Sequence, residues 1–366
     1  MAAGVARTTA GPAAAARLTR RGALRSALFG ATALGMAAAR RAAAQDATPR
    51  AGADPLPSWA DGPLKTGILA FVAAATDPGN PAFIPPAQRI ATFDNDGTLM
   101  CEYPAPVQAF FAVDLTRQIG EADPEAARAP VFRRVLSGEY DDLTGAYPAG
   151  FSDVFNAVNG DMTQQRFIAF ARAWFNRAVH PVTGMRFIDM VYQPQLELLD
   201  LLTANGFVPF VVSAGNVDVV RAFAPVVYGI PTWQLVGTSY DYEFAAADGQ
   251  GQVMGTIDDA RVISSANKAT AIALQVGQRP VVAVGNSDSD TEMLEYAKGG
   301  PTPALTLLVH HTDGDREFAY DRDYAWSPFA AALDNAGTDG FTLIDMKSDW
   351  RAIWRETPSP SLLTGG

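Results

Sequence analysis

The sequence predicts an α/β protein built on a doubly wound parallel sheet, and three observations lead to this fold class. Short runs of mostly apolar residues, at 89–93, 207–212 and 281–284, have the length of strands. Segments of helical period alternate with these runs, and strands that are apolar on both faces belong to parallel sheets covered by helices on both sides. A polar cluster follows each run directly, where the carboxyl ends of parallel strands form binding sites.

The first half of the chain predicts two core elements and a long helical insertion. A helix is predicted over 61–75, where the apolar side chains share one face, and a strand over 89–93. From 104 to 190 no compact strand signal occurs, so this stretch is predicted to be a helical insertion. Its large apolar residues recur at roughly helical intervals and are Phe110, Leu115, Phe132, Leu136, Phe151, Phe155, Phe167, Phe170 and Trp174.

The second half alternates strands and helices. A helix over 195–204 stops at Asn205-Gly206, and a buried strand follows over 207–212. The segments 233–244 and 252–257 flank a turn and predict a hairpin. The remaining predicted elements are a helix over 265–276, a strand over 281–284, a helix over 290–297, a strand over 304–309 and a last helical stretch.

These elements predict a core formed by residues 61–103 and 191–356, with the helical insertion at 104–190 between its two parts. Residues 45–60 are rich in Pro, Ala and Asp and predict a linker. Residues 357–366 are predicted to be a C-terminal tail.

Residues 1–44 predict an export signal. They carry seven Arg and no acidic residue, and the segment 19–25 resembles a twin-arginine motif. An apolar stretch at 26–39 follows, and Ala42-Ala43-Ala44 offers small residues for cleavage. The alternatives are an Ala/Arg-rich leader and a mitochondrial-type presequence. The expected location is periplasmic or secreted, without stable membrane insertion, because a membrane span needs ~20 apolar residues.

Composition restricts the partners. The formal net charge of −11 includes the basic leader, so the rest of the chain is more acidic still. An acidic surface disfavours nucleic acid and anionic membranes. With one cysteine, Cys101, and three histidines, an intramolecular disulfide is excluded and a structural zinc site is not expected. Any metal should therefore be bound through oxygen.

The strongest motif is Asp94-Asn95-Asp96-Gly97-Thr98, directly after the predicted strand at 89–93. Two carboxylates two residues apart can both approach one divalent cation if the chain turns, and Gly97 permits the turn. A cation would offset the repulsion between a phosphate dianion and a carboxylate nucleophile. Calcium loops and Asp-rich turns are the alternative interpretations.

Three weaker motifs follow the first. Ser213 ends the strand at 207–212, and its hydroxyl and the next backbone N–H groups could bind phosphoryl oxygens, although a helix N-cap explains it equally. Lys268 lies near the start of a predicted helix and could neutralise phosphoryl charge, although most lysines are solvated surface charges. The segment GNSDSD at 285–290 offers oxygen ligands, or the acidic first turn of a helix.

Together the four motifs resemble those of the haloacid dehalogenase-like superfamily. FDNDGTL at 93–99 resembles its first motif, Ser213 its second, Lys268 its third and GNSDSD at 285–290 its fourth. The resemblance spans roughly residues 61–356 and is nearest to an exported, phosphoserine-phosphatase-like branch. The helical insertion occupies the position of the family's cap.

The resemblance implies a Mg²⁺-dependent phosphomonoester hydrolase that acts on a small phosphorylated metabolite through an aspartyl-phosphate. Asp94 would be the nucleophile and a metal ligand, and Asp96 would be the general acid/base and a ligand through its backbone carbonyl. Thr98, Ser213 with the amide of Ala214, and Lys268 would bind the phosphate or position the leaving group.

The fourth motif departs from the family at Asn286, where an aspartate ligand is usual. The resemblance implies Asn286 and Asp290 as metal ligands, with Asp288 as a further candidate. An amide brings no charge, so a non-catalytic exported binding protein is one alternative function, and a phosphotransferase is another. Asp96 favours phosphoryl transfer over dehalogenation, because a departing halide needs no proton.

Overall fold

A computed structural model describes residues 53–144, 148–158, 162–247, 250–256 and 260–363. The predicted leader at 1–44 lies outside these residues, as does the first half of the predicted linker, 45–52. The first helix, α1, spans Pro63–Thr76, with proline in its first turn, where no backbone N–H is needed. It buries Ile68, Val72 and Ala75, the apolar face that the sequence predicts.

Six parallel strands form the sheet, as predicted for a doubly wound α/β protein. They are β1 (Ile90–Phe93), β2 (Val208–Asn216), β3 (Leu235–Thr238), β6 (Val282–Gly285), β7 (Leu305–His310) and β8 (Thr342–Asp345). The order across the sheet is β3-β2-β1-β6-β7-β8. Because β1 pairs with β2 on one side and β6 on the other, the strand order reverses at β1, the position where such sheets form sites.

Two hydrophobic clusters show that both faces of the sheet are covered. Successive strand residues point to opposite faces, so Phe210 and Val212 join one cluster while Val211, between them, joins the other. In the core, the α-helices after β1 are α6 (Gln193–Ala204), α7 (Val217–Val227), α8 (Ala266–Ala271, continued by a π-helical turn, Ile272–Val276), α9 (Thr291–Lys298), α10 (Ala331–Asp339) and the short α11 (Met346–Asp349).

The stretch between β1 and α6 is helical, as predicted. Its helices are α2 (Val107–Ala122), α3 (Pro130–Leu136), α4 (Ser152–Ala157) and α5 (Gln164–Phe175). Aromatic side chains join α2 to α5: Phe111 lies edge-on to Phe167 and Trp174, with ring centroids 5.7 and 5.6 Å apart. The same hydrophobic cluster continues from these helices to the sheet, so the insertion and the core share buried contacts.

Three predictions need correction. The segment 233–244 is not one hairpin arm, because its buried part forms β3 in the parallel sheet; the antiparallel hairpin is β4 (Tyr242–Ala247) with β5 (Gln250–Gly255). The predicted linker ends before residue 54, because Leu56 and Trp59 are fully buried in the core. The described part of the predicted tail, 357–363, is packed as well: Ser359 Oγ donates to the Ile188 carbonyl at 2.6 Å.

Within the described residues, no helix is both long enough and apolar enough to cross a membrane.

Candidate functional site

The first motif forms a tight turn at the end of β1. The Asp94 N–H donates to the Val284 carbonyl of β6 at 2.9 Å, which ties the ends of the two central strands together. The Asn95 carbonyl accepts the N–H groups of Leu99 and Met100, and Gly97 has a φ of +74°. A left-handed residue favours glycine, so this turn depends on Gly97.

Lys268 joins the first, third and fourth motifs in one ionic cluster. Its Nζ lies 2.7 Å from Asp94 Oδ1 and 2.6 Å from Asp290 Oδ1, and the lysine is fully buried on α8. The sequence predicts Lys268 and Asp94 for one site, and the structure places them in direct contact across 174 positions of the chain. The alternative of a solvated surface lysine is excluded.

Burial and charge act against each other in this cluster. Burial raises the pKa of Asp94 to about 7, although the neighbouring Lys268 acts in the opposite direction and Asp290 adds to the increase. Burial lowers the pKa of Lys268, but Asp290 and Asp94 outweigh this and the net change is an increase. The lysine is therefore a fixed positive charge beside Asp94.

Asp96 occupies a different environment from Asp94. Burial raises its pKa to about 6, and its Oδ1 is buried without a hydrogen-bond partner among the described residues. The preceding side chain, Asn95, is held by Tyr228, whose hydroxyl donates to Asn95 Oδ1 at 2.8 Å. The two aspartates thus differ: Asp94 forms an ion pair with Lys268, whereas Asp96 has a buried oxygen without a hydrogen-bond partner among the described residues.

Asn286 is oriented from both sides. Its Oδ1 accepts the hydroxyl of Thr98 at 3.2 Å, and its Nδ2 donates to Glu102 Oε1 at 2.7 Å. Glu102 is buried, and burial together with Asp96 and Asp94 raises its pKa well above the usual range. Thr98, predicted to face phosphate or leaving group, instead donates to Asn286, which is a correction. Glu102 was not predicted as a site residue.

The two acidic residues of the fourth motif have separate tasks. Asp290 Oδ2 accepts the N–H groups of Asn286 and Ser287 at 3.0 and 3.1 Å, which fixes the loop, while its Oδ1 faces Lys268. Asp288 instead accepts the backbone N–H groups at the start of α10, at 2.9 to 3.1 Å. Both oxygens of Asp288 are used by the helix, so the structure gives no support to Asp288 as a metal ligand.

An Asp288→Ala variant is expected to lose about 0.5–2 kcal/mol of unfolding free energy, the usual loss for an N-capping carboxylate. Denaturant unfolding measures it. Asp288→Asn keeps an acceptor and should lose less. If Asp288→Asn also weakened Mg²⁺ binding, Asp288 would belong to the metal site and its assignment to α10 alone would be wrong.

The second motif lies where β2 departs from regular pairing. The register between β2 and β3 shifts between Ser213 and Asn216, so the intervening residues bulge from the sheet. Ser213 is buried and its Oγ accepts the N–H of Gly215 at 3.0 Å, while Ala214 is exposed. Gln108 of α2 reaches this loop, and its Oε1 accepts the Asn216 N–H at 2.7 Å. Gln108 was not predicted, and it links the insertion to the second motif.

His311 supports the first motif from behind. It is buried, and its Nε2 lies 2.8 Å from the Gly97 carbonyl while its Nδ1 lies 3.3 Å from Glu317 Oε2. The Tyr320 ring stacks on His311, with centroids 4.3 Å apart, and its hydroxyl donates to Glu102 Oε1 at 3.1 Å. The strand-end position of His311 was visible in the sequence, but its contact with the turn was not.

A cleft of about 940 Å³ opens elsewhere, among the helices of the insertion. Its walls include Phe110, Arg117 and Trp174, and none of the four motifs contributes to it. The cleft is therefore separate from the candidate site.

The residues at the end of β1 fit Mg²⁺ by their chemistry. In the part of the chain that the structure describes, no three His, Cys, Asp or Glu side chains are placed to hold a metal. The predicted ligands are the Asp94 carboxylate, the Asp96 backbone carbonyl, the Asn286 amide and Asp290. Of these, Asp290 has both carboxylate oxygens in contact with Lys268 or with its own loop. All are oxygen donors, which Mg²⁺ prefers.

The comparisons with known proteins identify a family for this chain. The family model of the haloacid dehalogenase-like hydrolases matches residues 91–295. A search of curated protein sequences found no match.

Solved structures also match this chain. A conserved protein of unknown function from Anaerococcus prevotii has a TM-score of 0.50 at 14% identity, with 79% of this chain and 94% of that chain covered. A protein of unknown function from Bordetella pertussis has a TM-score of 0.42 at 16% identity, with coverage of 71% and 99%. A phosphoserine phosphohydrolase-like protein from Francisella tularensis has a TM-score of 0.31 at 15% identity, with coverage of 61% and 87%. Because the family model covers more than half of the sequence, this chain belongs to the haloacid dehalogenase-like hydrolase family.

Proposed function

We propose that the protein is a Mg²⁺-dependent phosphatase that hydrolyses small phosphate monoesters through an aspartyl-phosphate on Asp94. The observation that carries this proposal is the contrast between two aspartates two residues apart. Asp94 is held by Lys268 at 2.7 Å, whereas Asp96 has a buried, unpartnered oxygen. Two carboxyl groups in different environments can divide the roles of nucleophile and acid/base.

In the first step, a carboxylate oxygen of Asp94 attacks phosphorus as the bond from phosphorus to the ester oxygen breaks. Asp96, in its protonated form, gives its proton to the leaving alkoxide. The bound cation would favour the ionised form of Asp94 and offset the charge of the phosphate. Lys268 adds a fixed positive charge beside the nucleophile, and such preset charge is a large part of phosphoryl-transfer catalysis.

In the second step, the Asp96 carboxylate takes a proton from water. The resulting hydroxide attacks phosphorus of the aspartyl-phosphate, and phosphate leaves with regeneration of Asp94. Ser213 and the exposed backbone at Ala214 lie at the end of β2 and would hold phosphoryl oxygens in both steps. We assign Thr98 to the support of Asn286, because its hydroxyl donates there.

We also propose that the protein is exported by the twin-arginine route to the periplasm or the exterior. This rests on the Arg20-Arg21 pair and the apolar stretch at 26–39, both within the leader. The helical insertion lies between the first two motifs, where it would cover the substrate and select its organic part.

Phosphate release from p-nitrophenyl phosphate by the purified protein tests the reaction class. Release is expected with Mg²⁺ and is expected to disappear with excess EDTA, then return when Mg²⁺ is restored. Asp288→Asn serves as a control, since Asp288 binds α10 and should leave release unchanged. Absence of release over a wide range of pH, divalent metals and phosphate esters would favour the non-catalytic binding protein.

A further inference from the structure

Gln108 of the helical insertion has one end of its amide paired and the other end without a partner. The side chain lies in the first turn of α2 and is only 3% exposed. Its Oε1 accepts the N–H of Asn216 at 2.7 Å, whereas its buried Nε2 has no hydrogen-bond partner among the described residues. A backbone N–H can only donate, so the oxygen of Gln108 must face Asn216. Burying the N–H groups of Nε2 without an acceptor is unfavourable, so a bound acceptor there would be stabilising.

Gly215 admits this amide against the second motif. A Cβ at residue 215 would lie only 2.6 Å from Gln108 Cδ and closer still to Nε2, so a side chain there would displace the amide. Nε2 therefore lies against the bulge at 213–216, where β2 departs from its regular pairing with β3. Under the proposed function, this bulge is the segment that holds the phosphoryl oxygens.

Two backbone N–H groups of the bulge already have partners. The Gly215 N–H donates to Ser213 Oγ at 3.0 Å, and the Asn216 N–H donates to Gln108. In exchange for the Asn216 N–H, Gln108 brings the two N–H groups of its own amide to the same bulge. The insertion thus supplies donors exactly one contact away from Ser213 and Ala214, the residues to which the proposed function assigns the phosphate.

We propose that Gln108 Nε2 donates a hydrogen bond to a phosphoryl oxygen, so that the helical insertion itself takes part in phosphate binding. The inference rests on the proposed function, because it takes the bulge as the phosphate site. Hydrogen bonds to a charged acceptor are stronger than those to a neutral one, which favours a phosphoryl oxygen over a hydroxyl or carbonyl of the organic part. Every phosphate monoester has the phosphoryl group, so this contact adds affinity without selecting among esters.

Calorimetric titration with inorganic phosphate in the presence of Mg²⁺ tests the donor without turnover. Gln108→Glu keeps an acceptor for the Asn216 N–H but removes both N–H groups, and Gln108→Met removes donor and acceptor at similar size. Both variants are expected to raise the dissociation constant of phosphate about 10–100-fold, the usual loss for a hydrogen bond to a charged group. Because methionine is uncharged, its loss cannot come from repulsion of the phosphate.

Gln195→Met is the matched control. Gln195 lies on α6, is fully buried, and neither end of its amide has a partner among the described residues. It therefore shares the burial of Gln108 but lies outside the four motifs, so its replacement should leave the phosphate dissociation constant unchanged. The melting temperature of each variant shows whether it is folded.

Kinetics with two esters separate a phosphoryl contact from a contact with the organic part. In Gln108→Met, kcat/KM should fall by the same factor for p-nitrophenyl phosphate and for glycerol 2-phosphate, because both carry the same phosphoryl group. A loss confined to one ester would assign Nε2 to the organic part of the substrate and overturn the inference.

Two calorimetric results would also overturn it. If Gln108 only supported the loop, its Nε2 would face no phosphate, and folded Gln108→Glu would bind phosphate like the wild type. An equal loss in Gln195→Met would show a general effect of replacing a buried glutamine. In both cases the wild type still releases phosphate from p-nitrophenyl phosphate with Mg²⁺, so the proposed function stands. A wild type that binds phosphate through Gln108 but hydrolyses no ester would keep the inference and refute the proposed function, and a wild type that hydrolyses esters but binds no phosphate would do the reverse.

Discussion

An Asp94→Asn variant is expected to release no phosphate above background from any monoester that the wild type hydrolyses. The amide has nearly the size of the carboxylate, so the contact with Lys268 at 2.7 Å can be kept in part. What is lost is the nucleophile, because an amide oxygen cannot form an acyl phosphate that water then cleaves. The variant also loses a negative metal ligand, so Mg²⁺ binding should weaken.

Two measurements separate loss of the nucleophile from loss of the fold. The melting temperature of Asp94→Asn in EDTA should be close to or above that of the wild type, since burial disfavours the charge of Asp94. Rapid quenching of the wild type with substrate, followed by peptide mass analysis, should find the phosphoryl group on the peptide that contains Asp94. Near-normal turnover by a folded Asp94→Asn protein would refute the nucleophile assignment.

The parallel sheet could be predicted because its central strands are buried on both faces. Strands β1 and β6 are buried at every position, so their apolar runs are visible without knowledge of their partners. No strand is predicted at 342–345, because β8 is a four-residue edge strand whose first two residues are exposed. The prediction that 233–244 forms one arm of a hairpin was wrong because hydrophobic periodicity does not indicate which sheet a short strand joins.

The candidate site was predictable where residues follow strand ends, and not where it depends on packing. Asp94 directly follows β1, Ser213 lies in the last part of β2 and the loop at 285–290 begins at the end of β6, so the topology brings them together. Lys268 lies on a helix, and its position could be predicted only from its place among the motifs. Glu102 had no sequence signal, because its role arises from a contact with Asn286 across 184 positions.

Asp288 and Asp290 show the same limit within one loop. Both are acidic and two positions apart, and only the resemblance to the family's fourth motif favours Asp290 over Asp288. The structure separates them by their partners, with Asp288 on the N–H groups of α10 and Asp290 on Lys268 and its own loop. The motif thus predicts that an acidic residue belongs to the site. Which of the two residues it is depends on the helix that packs beside the loop.

An Asp96→Asn variant is expected to hydrolyse alkyl phosphates ~10²–10⁴-fold more slowly, the usual contribution of a general acid/base. The reason is that an alkoxide leaves poorly without a proton. The buried Oδ1 of Asp96 has no hydrogen-bond partner among the described residues, and an amide has nearly the size of the carboxylate that it replaces. The backbone carbonyl of residue 96 is unchanged, so Mg²⁺ affinity should be largely retained.

Leaving groups of different basicity make this prediction specific. A nitrophenolate departs without a proton, so the first step should survive in Asp96→Asn with p-nitrophenyl phosphate, while the second step still lacks its base. A rapid burst of nitrophenol followed by slow turnover is therefore expected, with the phosphoryl group accumulating on Asp94. Equal losses of the first step for alkyl and nitrophenyl esters would show that Asp96 positions the substrate and does not transfer the proton.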